Sequence, residues 1–204
     1  ARLRQIGYGA WIDEQLDPAR TPVTLMTPHI LSIPVAQLDY AERRNYWLWQ
    51  ATTAPDQLRM RMAFALSEIF VVSDRDYNTA NFGRISDYQD TLARGAFGTY
   101  RQLIGQITLH PAMGTYLSYM ANRKAVSYVN KQGVTVTIVP DENYARELMQ
   151  LFSIGLVERN SDFSVRTDAS GQPIPTYDQA VVSAMARVMT GWTWYGNTKD
   201  SFWK

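Results

Sequence analysis

Apolar residues spaced three and four apart recur along most of this chain, and that spacing constrains the fold more than any other feature. It predicts amphipathic helices. Leu58, Met62, Ala65, Ile69 and Val72 form one stripe, widened by Phe64 and Phe70, which reads as a central helix with Pro55 in its first turn. Leu38, Ala41, Leu48 and Ala51 mark an earlier helix that also carries Trp47 and Trp49. Tyr100, Leu103, Ile104 and Ile107 form a third stripe. Met113, Tyr116, Leu117 and Met120 form a fourth, begun by His110-Pro111. Two stretches break this rhythm. Residues 125–139 alternate β-branched and polar side chains around Lys131-Gln132-Gly133, and 164–175 do so around Asp168-Ala169-Ser170-Gly171. Both read as β-hairpins, and two strands alone make excursions rather than a core. The expected fold is mainly α: a multi-helix orthogonal bundle with one or two small β-hairpin excursions.

Composition narrows the function classes. A chain of 204 residues can bury a sizeable core, and 46% hydrophobic with 19% charged residues is ordinary for a folded domain. Twenty basic against nineteen acidic residues leave no electrostatic footprint for nucleic acid. The absence of cysteine excludes disulfides, thiolate catalysis and zinc–thiolate sites. No apolar run approaches the roughly 20 residues of a transmembrane helix. H-E-x-x-H, the P-loop, the dinucleotide glycine fingerprint and the G-x-S-x-G elbow are missing, so no cofactor or metal is expected. Asp74, Asp76 and Asn78 alternate like the start of a calcium loop, but position 79 is Thr and position 85 is Ile, which favours a solvated loop. Of the two histidines, His110 suits a capping or packing role, and His29 lies in a loop without partner spacing.

The densest signal is the segment from Pro140 to Gly155, PDENYARELMQLFSIG. Asp141 is placed to cap a helix, an effect of about 1 kcal/mol. Glu142 complements the positive end of the helix dipole. Tyr144, Ala145, Leu148, Leu151 and Phe152 share a broad apolar face. Gly155 suits a left-handed stop, with Leu156 packing back on the last turn. Folding accounts for these residues, but less plainly for Asn143, Arg146 and Glu147. Glu142 and Arg146 stand at i, i+4, as do Asn143 and Glu147. Three readings remain open: a solvated face with an ion pair worth about a few tenths of a kcal/mol, a buried polar network, or a cluster with Glu147 as base or metal ligand, Arg146 as anion holder and Asn143 as orienter.

This segment resembles P-x-E-N-Y-A-R-E-L-x-E-L-F-T-L-G, the signature of a bacterial family known as domain of unknown function 1800 (DUF1800). A second block agrees. Thr176-Tyr177-Asp178-Gln179 reads as a capping box, with Val181, Ala184, Met185, Val188 and Met189 on one face. Tyr177, Ala186, Arg187, Thr190, Gly191 and Trp192 match the family's Y-T-E-x-D-V-x-x-x-A-R-x-x-T-G-W. The helix beginning at Leu58-Arg59 matches a third block. Many relatives carry W-H-N-H-F there; this chain has Leu66-Ser67-Glu68-Ile69-Phe70, leaving Glu68 as the only candidate ligand. Arg187 and Trp192 are further candidate ligand-binding residues. Residues 1–204 read as one helical domain or a large fragment of one. Trp192, Trp194 and Trp203 in the last thirteen residues suggest a core that continues, so the chain is expected to be incomplete at both ends and to lack the family's C-terminal part.

The resemblance implies an exported bacterial protein, periplasmic or secreted, working beside a phosphatase- or sulfatase-like protein of the domain of unknown function 1501 family. Three functions are weighed. The first is a non-enzymatic interaction or scaffold module. The second is a hydrolase using Glu147, Arg146 and Asn143. The third is a glycan-binding module using Tyr46, Trp49, Tyr77, Tyr88, Tyr119 and Tyr195 as ring faces.

Overall fold

The computed structural model of the protein describes residues 2–73 and 82–193. Its contacts divide the chain into two compact units, residues 1–112 and 113–204. The described residues are mainly helical with one small antiparallel hairpin, the expected class. Among them no helix is long and apolar enough to cross a membrane.

The first unit holds α1 (Arg2–Leu16), α2 (Thr27–Ser32), a 3-10 turn (Val35–Gln37), α3 (Tyr40–Thr53), α4 (Gln57–Ser67), α5 (Phe82–Gly95) and α6 (Tyr100–Thr108). Helix α5 is its hub, packing against α2, α4 and α6. It buries Phe82, Ile85, Tyr88 and Leu92 together with Ser86 and Asp90. Helix starts are closed by side chains: Asp39 accepts from the Glu42 N–H at 2.7 Å, and Thr99 from Gln102 N–H at 3.3 Å. Helix α7 (Pro111–Tyr116) straddles the boundary between the units in sequence.

Two expected apolar faces are displaced. On α4 the buried residues are Arg59, Met60 and Ala63, whereas Met62, Phe64 and, just beyond the helix, Ile69 are exposed. On α3 they are Arg43 and Gln50, whereas Leu48 and Trp49 are exposed. Interior polar partners explain the shift. The Arg59 guanidinium donates to the Ala93 carbonyl at 2.9 Å and lies over the Phe97 ring, and Arg43 donates to Gln89 Oε1 at 3.2 Å. Pro55 also falls outside α4. Its carbonyl accepts from Gln15 Nε2, whose Oε1 in turn receives the Leu58 N–H, so α1 closes the start of α4. Asp56, fully buried, accepts from the N–H and hydroxyl of Thr24 at 2.8 and 2.7 Å. Asp90 accepts from the Met26 and Thr27 N–H groups at 2.7 and 2.9 Å, holding the start of α2 on α5.

The second unit contains β1 (Val126–Val129), β2 (Thr135–Ile138), α8 (Asn143–Gln150) and α9 (Gln179–Val188). The hairpin lies where its alternation placed it, in the register Val126 to Ile138, with Asn130 Oδ1 accepting two turn N–H groups and Gly133 at φ 76°. The second expected hairpin is looser. It begins at residue 157 and forms only isolated bridges, Val157–Pro175, Arg159–Val165 and Thr167–Pro173. Its Asp168 turn is present, the carboxylate accepting from the Ser170 and Gln172 N–H groups.

Candidate functional site

Helix α8 carries the densest part of the sequence pattern. Asp141 accepts the Asn143 N–H at 2.8 Å, a tight turn ahead of the helix, while Glu142 holds the cap position. Tyr144, Ala145, Met149 and Phe152 are buried. Ala145 and Met149 pack on Val182 and Ala186 of α9, and Tyr144 stands against Tyr119 with ring centroids 4.5 Å apart. The expected face included Leu148 and Leu151, but Leu148 is half-buried and Leu151 is 59% exposed. The cause is the helix end. Ile154 and Gly155 N–H groups both converge on the Met149 carbonyl, and Gly155 adopts φ 76°. The chain therefore leaves helical geometry early, and Leu156 is exposed rather than folded back. Helix α9 is shifted likewise. Asp178, not Thr176, is its cap, accepting from Val181 N–H at 3.0 Å, and Val182, Ala186 and Met189 form its buried face.

Polar groups cross-link these two helices. Glu142 accepts from the Ser183 hydroxyl at 2.6 Å, from Gln179 Nε2 at 3.0 and 2.8 Å, and from Arg146 Nη2 at 3.0 Å. The hydroxyl and amide donors, with the Arg146 charge, hold the Glu142 carboxyl below the usual carboxylate range. The donors come from three successive levels: Arg146 on α8 itself, and Gln179 and Ser183 one turn apart on α9. Arg146 is committed here, at 3.4 Å from Gln179 Oε1 as well.

The candidate residues fall as follows. Asn143 is exposed; Arg146 is engaged with Glu142; Glu147 is half-buried. Glu147 Oε2 is enclosed and has no hydrogen-bond partner. No side-chain hydrogen bond or ion pair among the described residues joins Asn143, Arg146 and Glu147 to one another. Glu68, Arg187 and Trp192 are all exposed, Glu68 following α4 and the other two at the end of the second unit. Among the described residues no group of three or more His, Asp or Glu could hold a metal ion. Residues 74, 76 and 78 of the calcium-like alternation lie outside the described residues.

His110 caps α7, as its position before Pro111 suggested. Its Nδ1 accepts the Ala112 N–H at 3.1 Å, which leaves the proton on Nε2, 3.2 Å from Asp87 Oδ2. Burial pushes this imidazole below the ordinary histidine value, against the pull of Asp87. His29 lies 3.3 Å from Glu42 Oε1 and stacks on Tyr46 at 3.7 Å, with Tyr46 stacked in turn on the exposed Trp49. Of the other candidate ring faces, Tyr88 and Tyr119 are buried, which corrects the expectation that they face solvent, and burial raises the Tyr119 hydroxyl. Both pack under neighbouring rings. Tyr77 and Tyr195 lie outside the described residues.

Sequence reasoning missed Asn122. Its side chain takes the Asp141 N–H at 2.9 Å and donates to the Asp141 carbonyl at 3.2 Å, while its backbone carbonyl accepts from Gly191 N–H at 2.9 Å. One residue thus ties the entry of α8 to the exit of α9. Its only sequence signal is a lone asparagine after a short helix.

An open groove of about 760 Å³ lies at the exit of α8. Leu151, Ile154 and Leu156, 55–59% exposed, form its apolar wall, with Glu158, Arg159 and Arg166 among its polar lining. Arg166 is paired with Glu158, and Arg159 donates to the Phe163 carbonyl.

Comparison with curated proteins and with solved structures gives no match. A family model described as "Protein of unknown function (DUF1800)" matches residues 1–203. Glu142, Tyr144, Arg146 and Gly155, the residues that carried the resemblance, now have defined places in α8 and its exit, and the chain belongs to the DUF1800 family.

Proposed function

We propose that the protein is a non-catalytic interaction module whose partner docks in the groove at the exit of α8. The carrying observation is the exposure of Leu151, Ile154 and Leu156 side by side in one groove, a contiguous apolar patch of the kind that marks interaction sites. Helix α8 already has a complete core face in Tyr144, Ala145 and Met149, so these three side chains are surplus to its packing. Arg146 supports the same reading, because it is spent on the α8–α9 cross-link rather than presented to a ligand.

The occupant that fits is a protein segment with two or three apolar side chains and a carboxylate. The apolar wall takes the first; Arg166 is neutralised by Glu158, and the remaining charge of Arg159, which donates to the neutral Phe163 carbonyl, favours the second. The resemblance supplies the candidate: an exported phosphatase- or sulfatase-like protein of the domain of unknown function 1501 family, met outside the cytoplasm.

The test is a calorimetric titration of that purified neighbour into the protein and into a Leu151→Asp/Ile154→Asp variant. Wild type is expected to bind. The variant should bind at least about tenfold more weakly, since two apolar contacts are lost, and melt at the same temperature because both side chains are exposed. Failure of the wild type to bind, or equal binding by the variant, would overturn the proposal.

A further inference from the structure

The interior of the first unit contains an amide that the protein leaves unsatisfied. Gln50, near the end of α3, is 1% exposed, and its Nε2 has no hydrogen-bond partner among the protein atoms. A buried amide in this state is rare. The side chain lines a narrow cavity between α3, α4 and α5, together with Thr24, Ser67 and Asp90 on the polar side and Trp47 and Met60 on the apolar side. About 20 Å³ of it is open to the centre of a water molecule. A single water needs about 10–15 Å³ by the same measure, so the space takes one molecule and no larger ligand.

We infer that one ordered water occupies this cavity and completes the hydrogen bonding of Gln50. The chemistry selects water over an ion. An amide N–H needs an acceptor, which a metal cation does not provide. The Asp90 carboxylate in the same lining repels an anion. Water accepts from Gln50 and has two protons to place, and the lining has acceptors for them. Each Asp90 oxygen already receives one N–H, from Met26 or Thr27, which leaves lone pairs on both. Thr24 Oγ1 gives its proton to Asp56 and so remains an acceptor. The water thereby links α3 to the carboxylate that holds the start of α2.

In ¹⁵N-labelled full-length protein, the Gln50 side-chain amide can be assigned through its own backbone and probed with water-selective NOE and ROE spectra. The expected result is a pair of water cross-peaks of opposite sign, the mark of a long-lived water rather than of passing surface hydration. A crystal map is expected to show a water peak within hydrogen-bond reach of Nε2. A Gln50 amide without long-lived water contact, or one bonded directly to a protein acceptor, would overturn the inference.

Discussion

Asn122 concentrates more structural consequence than any residue singled out from the sequence. Its carboxamide matches the Asp141 peptide in both directions, a pairing that neither aspartate nor leucine can reproduce. The neighbouring Ala121 is held at φ 64°, a left-handed conformation that costs energy for a residue with a Cβ, and its N–H reaches the Trp192 carbonyl. Strain at 121 is therefore offset by the bonds that 121 and 122 make to 141, 191 and 192. Asn122→Ala removes both side-chain bonds and leaves the Asp141 peptide without them. The expected destabilisation is about 2–3 kcal/mol, read from the shift in the urea midpoint at unchanged slope. Asn122→Asp keeps the acceptor for the Asp141 N–H and should lose less. If Asn122→Ala unfolds at the wild-type midpoint, the clamp contributes nothing and α8 is held by its apolar face alone.

Between elements, the α8–α9 pair rests on an apolar seam with Glu142 at its solvent edge. The carboxyl is held below its ordinary value of 4.5 by the Ser183 hydroxyl first, then by Gln179 and Arg146. A depressed acid contributes stability that is full above its unfolded value and is lost as pH falls through its folded value. Acid unfolding of wild type should therefore steepen below pH 4.5, whereas Glu142→Gln should flatten that limb and leave neutral stability slightly lower. An identical acid limb in the two proteins would show that the cross-link carries no pH dependence. The same pair shows what the sequence could reveal. Glu142 and Arg146 are legible as an i, i+4 ion pair, but Gln179 and Ser183 lie 37 and 41 residues further on, beyond the reach of local spacing. Helix α6 was legible because Leu103 and Ile107, four apart, are its buried residues. The buried faces of α3 and α4 were not legible because Arg43 and Arg59 turn inward to partners that only tertiary structure supplies, and Gln50 turns inward to a cavity. Helix α5 carries Phe82, Ile85, Tyr88 and Leu92 at three-and-four spacing, but Ser86 and Asp90 share its buried face and Tyr88 read as an exposed ring. The groove was hidden by an opposite effect: Leu151 continues the helical periodicity past the point where the backbone stops being a helix.

At the scale of the whole molecule, each unit sets stable helices against exposed excursions, and their stabilities should differ accordingly. In residues 1–112 the buried polar groups converge on α5: Asp90 holds the Met26 and Thr27 N–H groups, Arg59 reaches the Ala93 carbonyl, and Arg43 reaches Gln89. Opening α5 would strand several of these at once, so its amides should exchange only by the largest opening available to that unit. In residues 113–204 the equivalent place belongs to α8 and α9, joined by Ala145, Met149, Val182 and Ala186. The hairpin has no such support. All four residues of β1 are exposed, and β2 buries none of its own, so opening it uncovers little apolar surface. Native-state hydrogen exchange should therefore rank the central amides of α5 slowest in the first unit and those of α8 and α9 slowest in the second. The hairpin amides should exchange at least about a hundredfold faster than either set, reflecting local opening of low cost. A hairpin as protected as α8 would mean that its exposed valines are covered in solution, and would move the docking surface from the groove to the strands.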